Sequence, residues 1–349
     1  MNPPIPFAIH GFGRIGRALA RAAVGDSELS LVAINDVAPL DQLARLLARD
    51  SVHGRFPVDV VVEDDALRVG DRRVTVFEEP DTARIPWQET SARVVVDCSG
   101  GAVGGGGERH LRPGGPERVL ISALASGVDV TLCRGVNDSA FDAESHHVVS
   151  AASCTTNCLA LILRVLQDTF GVRQALMNEV HSYTGNQNLV DGPHDDPRRA
   201  RAAAVNVVPT FTAAPAAVES LLPALAGRLA GQAVRVPTPD VALLDVVATL
   251  ERSATRREVE EAYIAAASGD LHGLLAVSDE PLVSTDYVGD RHSAVVDLPL
   301  IQLLPGRDDT APMVRVVAWY DNEAGYCQRL AELVRTLAVR NGAQESETS

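Results

Sequence analysis

A short apolar run, Pro6-Phe7-Ala8-Ile9-His10, leads directly into Gly11-Phe12-Gly13-Arg14-Ile15-Gly16 and then into RALARAAV, a helical pattern. No other stretch restricts the fold as strongly. In such a turn the first glycine permits a tight reversal, the second lets backbone approach a pyrophosphate, and the third lets helix pack on strand, with the helix N-terminus facing the anion. The spacing alone is weak evidence, but its context is right: a second apolar strand, LSLVAIND, follows and ends in Asp36, 20 residues beyond Gly16. A carboxylate there can accept hydrogen bonds from both ribose hydroxyls of NAD and repels a 2′-phosphate, which favours NAD over NADP. The competing reading makes Asp36 a cap for the helix APLDQLARLLARD.

Downstream, ARVVVDCSG, VLISAL and HHVVSAAS are apolar strand patterns that extend the β/α alternation, which implies a doubly wound parallel sheet. Between them, GGAVGGGGERHL reads as a flexible loop rather than a phosphate cradle, because no GK[ST] follows it. At 349 residues the chain exceeds what one core usually serves. After residue 170 the pattern changes to successive strands, including AVRVPTP, VALLDVVATLE, PLVSTDYV, SAVVDLPLIQLL and MVRVVAWYD, so the expected second domain is α+β with a mainly antiparallel sheet. The expected division is a dinucleotide-binding domain over 1–153, completed by a C-terminal helix over 318–340. A catalytic domain over 154–317 and a polar tail over 341–349 make up the rest.

Charge excludes some partners. The net charge is −15 and all 31 basic residues are arginine, so there is no basic face for nucleic acid or anionic membrane. Any anion site is local, and arginine suits one because its planar fork grips phosphate through two parallel bonds. The N-terminus has no secretory pattern, and the five cysteines are scattered without metal-binding spacing. Both features point to the cytoplasm and to no metal.

The stretch Ser150-Ala151-Ala152-Ser153-Cys154-Thr155-Thr156-Asn157-Cys158 carries the chemistry. A cysteine placed where a helix begins meets free N–H groups and a positive dipole end, which favour thiolate. The alternative is a buried, inert thiol.

Taken together and in order, HGFGRIGR, ASCTTNC, HSYT, DDPRRARAA, AVRVPTP and WYDNEAGY resemble the phosphorylating glyceraldehyde-3-phosphate dehydrogenases over about residues 5–338. The resemblance implies that Cys154 attacks an aldehyde, that hydride passes to NAD, and that inorganic phosphate cleaves the resulting thioester, with His181 as base. It also implies that Thr184 and Arg235, with Arg199 nearby, hold the sugar phosphate, and that Ser153, Thr155 and Thr212 beside Ala213 serve the attacking phosphate. The expected cofactor contacts are Gly11, Phe12, Gly13, Arg14, Ile15, Gly16, Asp36, Ser122 and Asn322, with Tyr326 nearby. A homotetramer is implied, with the long GNQNLVDGPHDDPRRARAA loop packed on a neighbouring subunit.

Several positions depart from the pattern. The family usually has Trp at Ala324, Asp at Asn186 and Gly-Ala-Ala-Lys around Ala213 and Pro215, and it has Pro where Leu124 follows Ser122-Ala123. GGAVGGGG replaces an aromatic-bearing motif, so weaker NAD binding is expected. Two alternatives are an erythrose-4-phosphate dehydrogenase-like hydrolysis of the thioester and a non-catalytic NAD-binding paralogue.

Overall fold

The structure is a computed structural model in which residues 3–304 and 310–339 are described; the polar tail 341–349 lies outside the described residues. The chain divides into two compact units, one holding the described parts of Met1–Leu132, Asp138–Ala152 and Cys327–Ser349, the other Cys133–Asn137 and Ser153–Tyr326.

In the first unit, β1 (Ile5–His10), α1 (Arg14–Val24), β2 (Leu29–Asn35) and α2 (Leu40–Ala48) are followed by a two-residue pair, β3 (Arg49–Asp50) and β4 (Gly54–Arg55). Then come β5 (Val60–Glu63), β6 (Ala66–Val69), β7 (Arg72–Phe77), β8 (Val94–Asp97), β9 (Arg118–Ile121), β10 (Val130–Thr131) and β11 (Val148–Ser150). The sheet order is β10-β11-β9-β8-β1-β2-β7-β6-β5. It is parallel from β10 to β7 and closes with an antiparallel β5–β6–β7 edge. Every residue of β8 and β9 is buried, which is why Val94–Val96 and Val119–Ile121 read as apolar runs without alternation. The strand order reverses at β1, whose neighbours are β2 and β8, and a crevice opens beyond the strand ends at such a point.

The glycine turn occupies that reversal. Gly11 has φ +85, and a Cβ on it would stand 2.5 Å from the Ser99 backbone; a Cβ on Gly16 would stand 2.3 Å from the Gly11 carbonyl oxygen. Gly16→Ala is therefore expected to destabilise the protein by roughly 1–3 kcal/mol through backbone displacement. It should weaken NAD binding as well, read together by thermal unfolding and calorimetry; an unchanged Kd would show that the turn does not hold the dinucleotide.

The glycine-rich 100–107 stretch forms two short 3-10 turns, Gly101–Gly104 and Gly107–His110.

The second unit begins its regular structure with α3 (Cys154–Phe170) and β12 (Val172–Ser182), then β13 (Val208–Thr210), α4 (Ala214–Leu221), β14 (Leu229–Val236), β15 (Ala242–Ala254) and α5 (Arg256–Ser268). Strands β16 (Leu275–Ser278), β17 (Ala294–Asp297), β18 (Gln302–Leu303) and β19 (Ala311–Tyr320) complete it. The sheet order is β13-β14-β12-β15-β19-β17-β16, with β18 paired to β19, and only β12/β14 and β16/β17 are parallel. The last helix, α6 (Ala324–Leu337), has its residues from Cys327 onward in the first unit.

Helix α3 is fixed at both ends. The Ser153 hydroxyl accepts from the Thr156 N–H, and Gly171 ends the helix at φ +71. Leu159, Leu161, Ile162, Leu163 and Leu166 are fully buried in the unit's core, each worth about 1.5–3 kcal/mol relative to exposure. The helix start that carries Cys154 is therefore a rigid platform.

One expected strand is absent. PLVSTDYV instead holds a single 3-10 turn, Ser284–Tyr287, because the Asp286 carboxylate accepts the Val283 N–H at 2.8 Å and bends the chain locally. The strand of this region is β16, LAVS.

Candidate active site

At the dinucleotide end of the first unit, Asp36 follows β2. Its Oδ2 accepts the Phe12 N–H at 2.6 Å and its Oδ1 the Ala38 N–H at 2.9 Å. Asp36 thus braces the glycine turn, and the residue at the α2 N-cap is Pro39, with no side-chain cap. Phe12 itself is buried. The α1 N-cap is Gly13, without a side-chain cap and without an acidic residue in the first turn. A Cβ on Gly13 would meet nothing within 4 Å, so this helix end is open to an anion such as the NAD pyrophosphate. Arg14 donates to Asp50 at 2.6 Å, and the Ile15 carbonyl accepts from Cys327 Sγ at 3.4 Å. The Ser122 N–H donates to the Asp97 carbonyl at 2.9 Å, which places Ser122 beside the end of β8.

Near the same end, His10, Asp97 and His110 bring three ligand-type atoms together. Their hydrogen bonds explain them without a cation. Trp87 Nε1 donates to His110 Nδ1 at 3.0 Å, which leaves His110 Nε2–H to donate to Asp97 Oδ2 at 3.1 Å. The Asn35 amide, oriented by its two bonds to the Glu79 backbone, donates to His10 Nδ1 at 3.1 Å. A metal-bound imidazole normally donates from its other nitrogen, and here both imidazoles accept there instead.

In the second unit, two chain neighbourhoods converge. Alternation along β12 puts Met177, Glu179 and His181 on its buried face. The parallel β12/β14 register sets Arg235 opposite His181. Ala152 has φ +56 just before Ser153, and Val241 has φ +68 just before Ala242, the residue paired with His181 on β15. Non-glycine residues in this region carry strain of order 1–3 kcal/mol, which clusters at functional sites.

Cys154 Sγ lies 3.7 Å from His181 Nε2. His181 Nδ1 is 2.7 Å from the Ser182 carbonyl oxygen and 2.9 Å from Arg235 NH1, which also donates to that carbonyl at 3.1 Å. With Nδ1–H donating to the carbonyl, the Nε2 lone pair faces the sulfur, the arrangement a base needs. Burial pushes the Cys154 thiol up to about 11, and the Glu179 carboxylate adds to the effect. Burial, and then the Arg235 charge, draws His181 down to about 3. Both shifts oppose the charged forms of the pair, whereas the helix start favours thiolate.

The anion side contains two arginines. Besides His181 and Ser182, Arg235 reaches only the Thr184 hydroxyl, at 3.5 Å; its Nε is buried without a partner, and no carboxylate lies within ion-pair distance among the described residues. Arg199 donates to Thr210 at 3.0 Å and stands 3.6 Å from Asp196. Burial and the neighbouring Arg235 charge lower its pKa. The Thr184 hydroxyl donates to Asn186 Oδ1 at 2.7 Å. The Thr212 hydroxyl accepts the Ala214 N–H at 3.3 Å, and Ala213 is the α4 N-cap residue. Ser153 Oγ is shared with Thr156 Oγ1 at 2.8 Å.

Thr155 is placed differently from the others. Its hydroxyl donates to Glu179 Oε1 at 2.8 Å and meets the Tyr320 hydroxyl at 3.0 Å, so its one proton is already used inside the protein.

Asn322 Oδ1 accepts from Ser182 Oγ at 2.9 Å, which leaves its Nδ2 without a hydrogen bond among the described residues. Asp321 next to it accepts the Glu323 and Ala324 N–H groups at 2.8 and 2.7 Å and so anchors the start of α6. Tyr326, in the first turns of that helix, is buried. Sequence reading missed Glu179, Tyr320 and Ser182; the available signal for Glu179 was its place two residues before His181, on the same strand face.

Comparisons agree with this geometry. Residues 5–104 match the family described as "Glyceraldehyde 3-phosphate dehydrogenase, NAD binding domain", and residues 153–322 match "Glyceraldehyde 3-phosphate dehydrogenase, C-terminal domain". The chain is 47% identical over 330 residues to glyceraldehyde-3-phosphate dehydrogenase 2 of Streptomyces arenae, covering 94% of this chain and 97% of that relative. It is 44% identical over 337 residues to glyceraldehyde-3-phosphate dehydrogenase 1 of Bacillus subtilis (strain 168), covering 96% and 99%. The same identity and coverage relate it to the glyceraldehyde-3-phosphate dehydrogenase of Geobacillus stearothermophilus. With both halves matched and nearly the whole length shared, the chain belongs to the glyceraldehyde 3-phosphate dehydrogenase family.

Proposed function

We propose that the protein converts D-glyceraldehyde 3-phosphate, NAD and inorganic phosphate to 1,3-bisphosphoglycerate and NADH. The observation that carries this reading is the Cys154–His181 contact of 3.7 Å beside an Arg235 that has no carboxylate partner among the described residues. The first unit acts as the NAD-binding domain and the second as the catalytic domain. Gly11, Gly13, Gly16, Asp36 and the α1 N-terminus hold NAD, and Asn322 Nδ2 is free to bond its carboxamide. When bound, NAD supplies the acceptor for the hydride that leaves the substrate carbon.

The residues of this chain do the remaining work. Cys154 Sγ adds to the aldehyde carbon, with His181 Nε2 placed to take the thiol proton. Arg235 grips the sugar phosphate with Thr184, and Arg199 adds positive charge. Hydroxyls of Ser153 and Thr212 receive the attacking phosphate, which displaces Cys154 from the thioester. Thr155 acts through Glu179 and Tyr320 rather than as a direct donor.

The relatives named above are glyceraldehyde-3-phosphate dehydrogenases, so the erythrose 4-phosphate and non-catalytic alternatives are not carried further. The second unit exposes large apolar side chains, Leu176, Leu189, Val190, Val205, Val207 and Phe211, the last 81% exposed. Such a surface suits burial against other copies of the chain, in keeping with a homotetramer. None of the five cysteines is in a disulfide, as in a reducing cytoplasm. No helix among the described residues is long and apolar enough to cross a membrane.

The test is NADH formation from D-glyceraldehyde 3-phosphate and from erythrose 4-phosphate, each with and without phosphate or arsenate. Turnover of the first substrate that requires phosphate or arsenate is expected, with KM raised about 10-fold or more in Arg235→Gln by loss of a charged hydrogen bond. Turnover independent of phosphate would overturn the reading.

A further inference from the structure

The His181 ring separates two kinds of charge. Its Nδ1 lies 2.9 Å from Arg235 NH1, whereas its Nε2 lies 3.7 Å from Cys154 Sγ and 3.9 Å from Glu179 Oε1. A cation therefore stands on one side of the imidazole and a carboxylate on the side of the reacting sulfur. Glu179 is 2% exposed, and among the described residues no arginine lies within ion-pair distance of it. The reaction as written gives it no task.

Thr155 connects the carboxylate to the sulfur. Its Oγ1 stands 3.9 Å from Cys154 Sγ and donates its proton to Glu179 Oε1 at 2.8 Å. The Tyr320 hydroxyl, 3.0 Å away, then donates into the same oxygen. A hydroxyl expected to serve the attacking phosphate thus has no proton to offer it, and a single side chain separates the sulfur from a buried negative charge.

We propose that Glu179 is a specificity-determining residue that makes the protein hold its two phosphates unequally, the sugar phosphate tightly and the inorganic phosphate that discharges the acyl enzyme weakly. The proposal rests on the dehydrogenase reading above.

The discharge step brings the carboxylate into play. An oxygen of phosphate bonds to the thioester carbon as the C–S bond breaks, the electron pair goes to sulfur, and the phosphate proton goes to His181 Nε2. Because that carbon is bonded to Sγ, the incoming phosphate arrives on the Nε2 side. Phosphate carries more than one negative charge at neutral pH, and Glu179 opposes it there.

The cations of the site do not offset this opposition. Arg235 is held on the Nδ1 side by the Ser182 carbonyl at 3.1 Å, and in the acyl enzyme its charge is engaged by the sugar phosphate. Arg199 is near enough to interact with the Glu179 charge, but it is turned to Thr210 at 3.0 Å and to Asp196 at 3.6 Å. Ser153 and Thr212 remain as uncharged hydroxyls, and a hydrogen bond to phosphate from such a group is weaker than one from a charged donor. The rate of discharge then follows phosphate concentration over a wide range instead of saturating early.

The experiment replaces the carboxylate with two neutral side chains, Glu179→Gln, which keeps an acceptor for Thr155, and Glu179→Met, and with Glu179→Asp, which keeps the charge. Initial rates of NADH formation are measured against inorganic phosphate and against D-glyceraldehyde 3-phosphate, with the other reactants saturating. In both neutral variants the KM for phosphate should fall about 10-fold, while the KM for the sugar phosphate stays within about threefold. Glu179→Asp should keep the wild-type phosphate KM. Loss of a group that only supports packing would not tighten a substrate. A phosphate KM that is unchanged or raised in the neutral variants, that falls equally in Glu179→Asp, or that falls together with the sugar-phosphate KM overturns the proposal. A wild-type measurement frees the test from any folding defect: sulfate, a dianion that cannot react, should compete with the sugar phosphate and inhibit at least about 10-fold more weakly against inorganic phosphate. Equal inhibition against both overturns the proposal as well. Absence of phosphate-dependent turnover in the wild type would instead remove the dehydrogenase reading itself.

Discussion

Cys154→Ser is expected to lower kcat on the order of 10^4-fold or more while leaving NAD affinity and thermal stability near wild type. Serine fits the same space, so the loss isolates the chemistry. A hydroxyl is far harder to deprotonate than a thiol, and His181, drawn down to about 3, is a weak base for it. An oxygen ester would also release its alcohol more slowly to attacking phosphate than a thioester releases sulfur. Cys158, one turn further along α3, cannot substitute because it is fully buried among core residues, where burial pushes its thiol well up. NADH formation, with calorimetric NAD binding as the folding control, decides the matter. Retention of activity within tenfold would show that Cys154 is not the nucleophile.

His181→Asn is expected to cost about 10^2- to 10^4-fold in kcat, or about 3–5 kcal/mol of transition-state stabilisation. The pH profile is the sharper readout. In the free wild-type enzyme His181 stays neutral at all pH values above about 3, so it imposes no acid limb on kcat/KM near neutrality. The thiol stays protonated below about 11, and the imidazole removes its proton during attack. Without the imidazole, attack depends on thiolate already present, a fraction that grows as pH rises toward about 11. The variant's kcat/KM should therefore climb through the alkaline range, whereas the wild-type profile stays flat around neutrality. Parallel profiles would mean that His181 is not the base.

Much of this was legible in residue order. Glycines at 11, 13 and 16 predict a strand–turn–helix on steric grounds alone, and the structure places them at the reversal of strand order. The helix after Ser153 follows from a capping hydroxyl and an apolar run, both local properties. PLVSTDYV misled because a run of apolar and β-branched residues resembles a strand, while a single Asp286–Val283 hydrogen bond turns the chain.

What sequence determined by itself were properties carried by neighbours along the chain: the dinucleotide turn, the start of α3 and the motifs that mark the family. Tertiary structure decided what depends on partners far away in sequence. Only the β12/β14 register sets Arg235 against His181, and only the packing of α3 on the sheet brings the half-buried sulfur to His181 and near Glu179. A helix start favours a thiolate through a short-range dipole, whereas partial burial and the Glu179 charge, which push the Cys154 thiol up, are properties of the whole fold.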